Sequence, residues 1–239
     1  MGGVWVSLPL LPRSFFDRPA TEVAPELLGC VLVRSSADGE VAAELVEVEA
    51  YMGSADPPSH AFRGMTARNE VMFGDPGHTY VYFTYGMHFC VNLVCMRPGV
   101  ASAVLLRAGR IVAGVELAVA RRSGGAGAGS AGAAAASAGV AAGKKRIEQL
   151  ASGPARLCQA LGIARDQNGL DVCDPDGELR ICAPAGFAGL SDDLIATGPR
   201  VGVSSGAEVP WRYWIAGDRA VSAYRPHVPR SRPAGAAAN

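Results

Sequence analysis

The stretch Tyr80-Val81-Tyr82-Phe83-Thr84-Tyr85-Gly86-Met87-His88-Phe89-Cys90-Val91-Asn92 reads as two β-runs joined at Tyr85-Gly86-Met87. Aromatics line the first run, Pro76-Gly77 punctuates its start, and Gly86 allows the tight bend. Tyr85 and Met87 flank that glycine, and a tip offers little core to fill, so Tyr85 faces outward. Tyr80, Phe83 and Phe89 read as core aromatics.

Upstream of this hairpin, residues 41–51 form a second extended run. Alternate side chains of a strand share a face, which places Leu45, Glu47, Glu49 and Tyr51 on one side and Val46, Val48 and Ala50 on a core side. Two carboxylates then stand roughly 7 Å apart beside an aromatic ring. Neighbouring carboxylates raise each other's pKa, which makes a base able to activate water near neutral pH. A solvated strand face is the plain alternative. Further upstream, residues 14–29 read as a short helical region with Thr21 as N-cap, Pro25 interrupting and Gly29 as the stop. Cys30-Val31-Leu32-Val33 reads as a buried strand.

Between these runs, residues 52–73 have little periodicity and read as a loop carrying His60, Arg63, Thr66, Arg68 and Asn69. Thr66 and Arg68 are of the types that contact phosphates, and equally of the types found on any surface. After the hairpin, Ala103-Val104-Leu105-Leu106 is a buried strand that ends in Arg107. An arginine following four apolar residues calls for a nearby carboxylate.

Residues 111–122 read as one helix, and residues 123–143, almost wholly Gly, Ala and Ser, as a flexible insertion. Ser152-Gly153-Pro154 marks a helix start with Ser152 as cap, Leu157 and Leu161 on one face and Gly162 as the stop; such an N-terminus can hold a phosphate. Short strands are expected at 179–182, 200–203, 211–215 and 220–222. Residues 1–12 and 226–239 read as tails around one domain over 13–225.

Composition narrows the function classes. The 239 residues are 49% hydrophobic and 18% charged, enough for a sizeable core, and the formal net charge is zero. That balance argues mildly against broad nucleic-acid binding while allowing a local basic face. No run of about 18 apolar residues is present, so no membrane span is expected. No signal-peptide pattern opens the chain, and the six scattered cysteines read as reduced thiols of an intracellular, cytoplasmic protein. Neither they nor the four histidines have metal-ligand spacing, so no metal is expected.

Several motifs fall in an order that resembles the 3-methyladenine (alkyladenine) DNA glycosylase family, bacterial members above all. They are Glu47-Val48-Glu49-Ala50-Tyr51, Ser59-His60, Thr66-Ala67-Arg68-Asn69, Tyr80 through Met87, Leu105-Leu106-Arg107-Ala108 and Ser152-Gly153-Pro154. The match runs from about Phe15 to Ser222. The resemblance implies a mixed α/β (α+β) single domain around a curved antiparallel sheet with a protruding hairpin and without helix-hairpin-helix elements. It implies a monomeric enzyme that needs no cofactor and removes damaged purines from double-stranded DNA. Glu49 would be the general base, and Arg107 and the Val201 carbonyl would help hold the attacking water. Tyr51 and His60 would stack on one face of the flipped base and Tyr82 on the other. Asn92 would disfavour normal guanine, and Tyr85 would fill the gap in the duplex. Met87, Thr66, Arg68 and Ser152 complete the expected DNA contacts.

Other classes remain open on sequence: a damaged-DNA-binding module with the same fold but no catalysis, or a metal-dependent hydrolase using Glu47, Glu49 and His60. A glycosylase that also cuts the strand needs an amine nucleophile. Both lysines, Lys144 and Lys145, adjoin the insertion, so no lyase activity is expected.

Overall fold

A computed structural model describes residues 8–84, 86–124, 147–184 and 186–227. Tyr85, most of the Gly/Ala/Ser insertion, both lysines and the outer parts of the two tails lie outside the described residues.

The hairpin is present as β3 (Thr79–Thr84) and β4 (His88–Cys95), paired from Thr79↔Leu93 to Thr84↔His88. Its turn closes through Met87 N–H donating to Thr84 O at 3.2 Å, with Gly86 at φ 67, a conformation that glycine adopts without strain. The remaining strands are β1 (Val31–Ser36), β2 (Gly39–Tyr51), β5 (Ser102–Ala113), β6 (Ala151–Ser152), β7 (Leu179–Cys182), β8 (Ile195–Gly198) and β9 (Arg212–Ile215). Among the described residues they make one sheet in the order β3-β4-β5-β2-β1-β7. β6 adds to β5, while β9 pairs with both β2 and β8. Every pairing is antiparallel.

Helices α1 (Arg13–Phe16), α2 (Ala20–Leu27), α3 (Val115–Arg122) and α4 (Pro154–Leu161) pack on one face of this sheet. Phe16, Leu27, Leu28, Leu157 and Leu161 meet Leu32, Leu45, Val48, Leu93 and Leu106 there in the main core. On the opposite face the loop over residues 52–73, with 3-10 turns at Gly53–Ala55 and Glu70–Phe73, lays Ala61 and Met72 against Tyr80, Val94 and Ala103. The result is a single α+β domain. No helix of the described residues is long and apolar enough to cross a membrane.

Several local expectations shift. The first helical region is two helices; α2 starts behind Pro19 rather than at Thr21, and Pro25 sits inside it. Residues 111–113 belong to β5, because Ile111 and Ala113 pair with Ala43 and Ala42. The helix begins only after Gly114, whose φ of 69 turns the chain. Gly153, not Ser152, precedes α4, since Ser152 is taken into β6 opposite Ala108. Residues 200–203 turn instead of extending, and Ser222 donates its N–H to Glu47 rather than to a strand. Tyr80 is buried, but Phe83 is 42% exposed and covers Phe89 at a centroid distance of 5.0 Å.

A Cβ on Gly114 would lie 2.1 Å from the Glu40 carbonyl oxygen, in a left-handed backbone conformation. Gly114→Ala therefore lowers stability by about 1–3 kcal/mol or more, measured by urea unfolding.

Candidate active site

The site begins with a fault in the β2–β5 ladder. Leu45 pairs with Gly109, Glu47 with Ala108 and Val48 with Leu106, so Val46 and Arg107 are each passed over. A bulge reverses the alternation of side chains beyond it. Leu45 therefore joins Val48 and Ala50 in the main core, while Val46 enters a small cluster with Ala108 and Ala220. This differs from the strict alternation read from sequence. Glu47 and Glu49 still share a face, and Arg107 rises among them from β5. Glu49, Leu105, Asn92 and Tyr80 are successive partners across β2, β5, β4 and β3, so they form one row on that face.

The row is no solvated strand surface: Glu47 and Glu49 are both 0% exposed, and Arg107 and Arg212 are buried beside them. Glu47 Oε1 accepts from Arg107 Nε and Arg212 Nε, each at 2.7 Å, and from Ser222 Oγ at 2.9 Å; its Oε2 accepts from Ser222 N–H at 2.7 Å. Burial pushes the Glu47 pKa up, but the charges of Arg107 and Arg212 and the Ser222 N–H outweigh it and hold it below its ordinary value. Mutual raising of the two carboxylates therefore does not describe Glu47. Its role is to anchor cations. Burial disfavours the Arg107 charge, and Glu49 and Glu47 more than restore it.

Arg107 is held through Nε, which leaves Nη1 to reach Glu49 Oε1 at 3.1 Å. The same oxygen accepts the Val201 N–H at 2.7 Å, whereas Oε2 accepts only from the Tyr51 hydroxyl, at 2.9 Å, among the described residues. Tyr51 is also a wall of the adjoining cleft. Pro58, Ser59, His60, Met72, Tyr80, Tyr82 and Asn92 complete that cleft, which opens to solvent and has about 330 Å³ of empty space, open solvent included. The base-activating carboxylate expected from sequence and the aromatic pocket thus meet through one hydroxyl.

The cleft rings hold each other. His60 Nδ1 is 3.0 Å from the Tyr80 hydroxyl, and Tyr80 stacks on Tyr82 at 5.6 Å. His60 meets Tyr82 edge to face at 4.5 Å, too close for a base to lie flat between that pair. Partial burial, then the charge of Arg68, lowers the His60 pKa from its ordinary value and favours the neutral imidazole. Asn92 Nδ2 donates to Tyr80 O at 3.0 Å, which fixes its amide at the cleft wall.

Of the other sequence candidates, Arg68 is exposed and extends over the Tyr82 ring, 5.9 Å from its centroid, at the cleft mouth. Thr66 is exposed nearby and donates to Asn69 Oδ1. Met87 is 68% exposed at the hairpin tip. Ser152 is half-buried in β6, apart from these residues in the ladder, and Tyr85 lies outside the described residues. Val201 reaches Glu49 through its N–H; the expectation for it concerned its carbonyl.

Sequence reading named Asn69 without a role and missed Asp56, Arg200, Arg212 and Ser222. Asn69 organises the loop, donating to His60 O and Gly64 O and accepting from Thr66. Arg200 makes two bonds to Asp56, 144 positions away. No local pattern announces contacts of that range. Among the described residues no three His, Cys, Asp or Glu side chains gather as metal ligands would.

Glu47→Gln leaves two buried guanidiniums short of a counter-charge, so stability at neutral pH falls by about 3–5 kcal/mol. The Glu47 carboxylate contributes fully above its ordinary pKa near 4.5, and that contribution is lost as pH falls through its lower folded value. Urea unfolding over this range is expected to show a shallower acid limb in the variant than in the native protein.

Comparison with known proteins places this architecture. The methylpurine-DNA glycosylase (MPG) family matches residues 14–219. A Streptomyces avermitilis protein is 49% identical over 224 residues, covering 93% of this chain and 95% of its own. A Leifsonia xyli subsp. xyli protein is 46% identical over 228 residues (93% and 96%), and one from Methanocella arvoryzae is 41% identical over 222 (92% and 98%). Each of the three carries the name "Putative 3-methyladenine DNA glycosylase". With the family matched across the sheet, the cleft and the buried carboxylates alike, the chain belongs to the methylpurine-DNA glycosylase family.

Proposed function

We propose that this protein is a monofunctional DNA glycosylase of base excision repair. It turns an alkylated or deaminated purine, such as 3-methyladenine, out of duplex DNA and hydrolyses the N-glycosidic bond, leaving an abasic site. The observation that carries this reading is the buried Glu49, paired to Arg107 and tied by the Tyr51 hydroxyl to the wall of an aromatic cleft. Family membership supports the activity, and the cleft supports the substrate class.

A base inside a duplex cannot be reached, and extruding it costs a few kcal/mol, least for a damaged base. Tyr85 enters the vacated stack and offsets part of that cost, and Met87, exposed beside it, contacts the DNA. Thr66, Arg68 and Ser152 contact the backbone. The base takes Tyr51 and His60 on one face and Tyr82 on the other, which requires His60 to give up its edge contact with Tyr82. Each aromatic–base stack contributes about 1–3 kcal/mol, and an electron-poor alkylated purine gains most. Asn92, fixed by the Tyr80 carbonyl, stands at the base edge and opposes the exocyclic amine of normal guanine.

The chemistry is displacement by water at C1′. The water oxygen forms a bond to the sugar, the N-glycosidic bond breaks with its electron pair leaving on the purine, and the water proton passes to Glu49. Oε2 is the oxygen with room for it, since Oε1 already takes Arg107 and Val201. Arg107 and the Val201 carbonyl help hold the water, and the carboxylate opposes the positive charge that develops on the sugar. A cationic purine leaves unaided; a neutral one such as hypoxanthine needs a proton first. No cofactor and no metal enter this scheme, because the carboxylate supplies the base. The catalytic unit spans residues 13–225 and acts as a cytoplasmic monomer on DNA.

Base release from methylated duplex DNA tests the reading. The native protein is expected to release methylated purine, and Glu49→Gln to do so more than about a hundredfold slower. Lesion binding without release by either would make the protein a binding module, and equal release by both would remove Glu49 from its role. Borohydride trapping during turnover is expected to give no protein–DNA adduct; an adduct would establish an amine nucleophile and lyase chemistry.

A further inference from the structure

Arg200 is the largest fully buried side chain among the described residues, at 1% exposure, yet it takes no place in the cleft wall. Its guanidinium grips Asp56 with two bonds, Nη1 to Oδ2 at 2.6 Å and Nη2 to Oδ1 at 2.8 Å, and Nη1 also donates to Ala50 O at 2.9 Å. Asp56 in turn accepts the Met52 N–H at 3.1 Å. The cation lies 4.7 Å from the Tyr51 ring centroid and 5.2 Å from that of Trp211. One side chain therefore joins the end of β2, the loop that carries Pro58, Ser59 and His60, and the turn at Val201. Val201, the residue after Arg200, is the one whose N–H reaches Glu49 at 2.7 Å.

Stability alone does not call for such a pair, since well-packed apolar residues replace buried ion pairs with little loss. What a two-bond planar fork supplies is orientation as well as distance. The segments oriented here are the ones that set the base and the water relative to each other.

We propose that the Arg200–Asp56 pair is a positioning unit for base excision, holding the Tyr51 ring and the Val201 N–H in register with the Glu49 carboxylate. The proposal rests on the glycosylase reading above. Neither Arg200 nor Asp56 touches base, sugar or water; both act through Tyr51 and Val201. The consequence is a split between rate and affinity. A misplacement of about 1 Å at a reacting centre costs on the order of a hundredfold in rate, whereas affinity for a duplex comes largely from phosphate contacts at the surface.

Arg200→Lys keeps the charge but loses the fork, and Asp56→Asn keeps the shape but loses the charge. Single-turnover release with enzyme in excess, and Kd for a lesion duplex, are measured for the native protein, both variants and Glu49→Gln. Release about tenfold or more slower in either folded variant, with Kd within about threefold, supports the positioning role. Release within about threefold of native in every folded variant overturns it. So does a parallel loss of affinity and rate, which marks a general structural role, and so does loss of the cooperative thermal transition in both variants. If the native protein releases no base, the glycosylase reading fails and this proposal with it. Native release with unchanged variants defeats the positioning role alone.

Discussion

The Arg107 guanidinium, buried between Glu47 and Glu49, is the constraint on which the rest of the site depends. A single buried arginine costs several kcal/mol to desolvate, and two carboxylates without a cation cost more. Each of these groups is tolerable only because the others are present. Glu47 fixes Arg107 at Nε and Arg212 beside it, and Ser222 adds its N–H and hydroxyl to the same carboxylate. Glu49 is then presented to Nη1 at one end of a fully bonded cluster. The bulge at Val46 and Arg107 is what permits this arrangement, because it lets β2 send Leu45 and Val48 to the same core while the intervening residues face away.

The two faces of the sheet divide the work. Helices α1 to α4 bury one face against a continuous apolar core, which supplies stability. The other face gives up apolar burial for a charged cluster and an open cleft, with the segments around Val201 and Ser222 and the loop over residues 52–73 each covering part of it. That loop is pinned at both ends by polar side chains, Asp56 through Arg200 and Asn69 through the His60 and Gly64 carbonyls. Polar pinning of this kind sets orientation more sharply than apolar packing does, because each bond has both a direction and a length. It also suits a cleft whose His60 and Tyr82 must separate to admit a base.

The hairpin, the extended run with Glu47 and Glu49, and the need of Arg107 for a carboxylate were legible because each rests on local chemistry: a glycine turn, a strand period, a charge after an apolar run. The burial of Glu47 was not, because a lone strand looks the same whether β9 lies beside it or not. The bulge escaped notice for a related reason, since register belongs to a pair of strands. Arg200, Asp56, Arg212 and Ser222 left no signal because their partners are remote in the chain. Helix limits failed where a neighbour decided them: Ile111 was claimed by the β2 ladder, and Ser152 by β5. The pairing of the carboxylates was foreseen and its effect on Glu47 was not, since two arginines outweigh one neighbouring carboxylate.

The most direct measurement is a crystal structure of the protein with duplex DNA carrying a hydrolysis-resistant alkylated purine nucleotide. The account predicts the purine outside the helix and between Tyr51 with His60 and Tyr82. It also predicts a water within hydrogen-bond reach of Glu49 Oε2 and on the far side of C1′ from the base. A purine still stacked in the duplex, or one seated in the cleft with the attacking water held by groups other than Glu49, would contradict it.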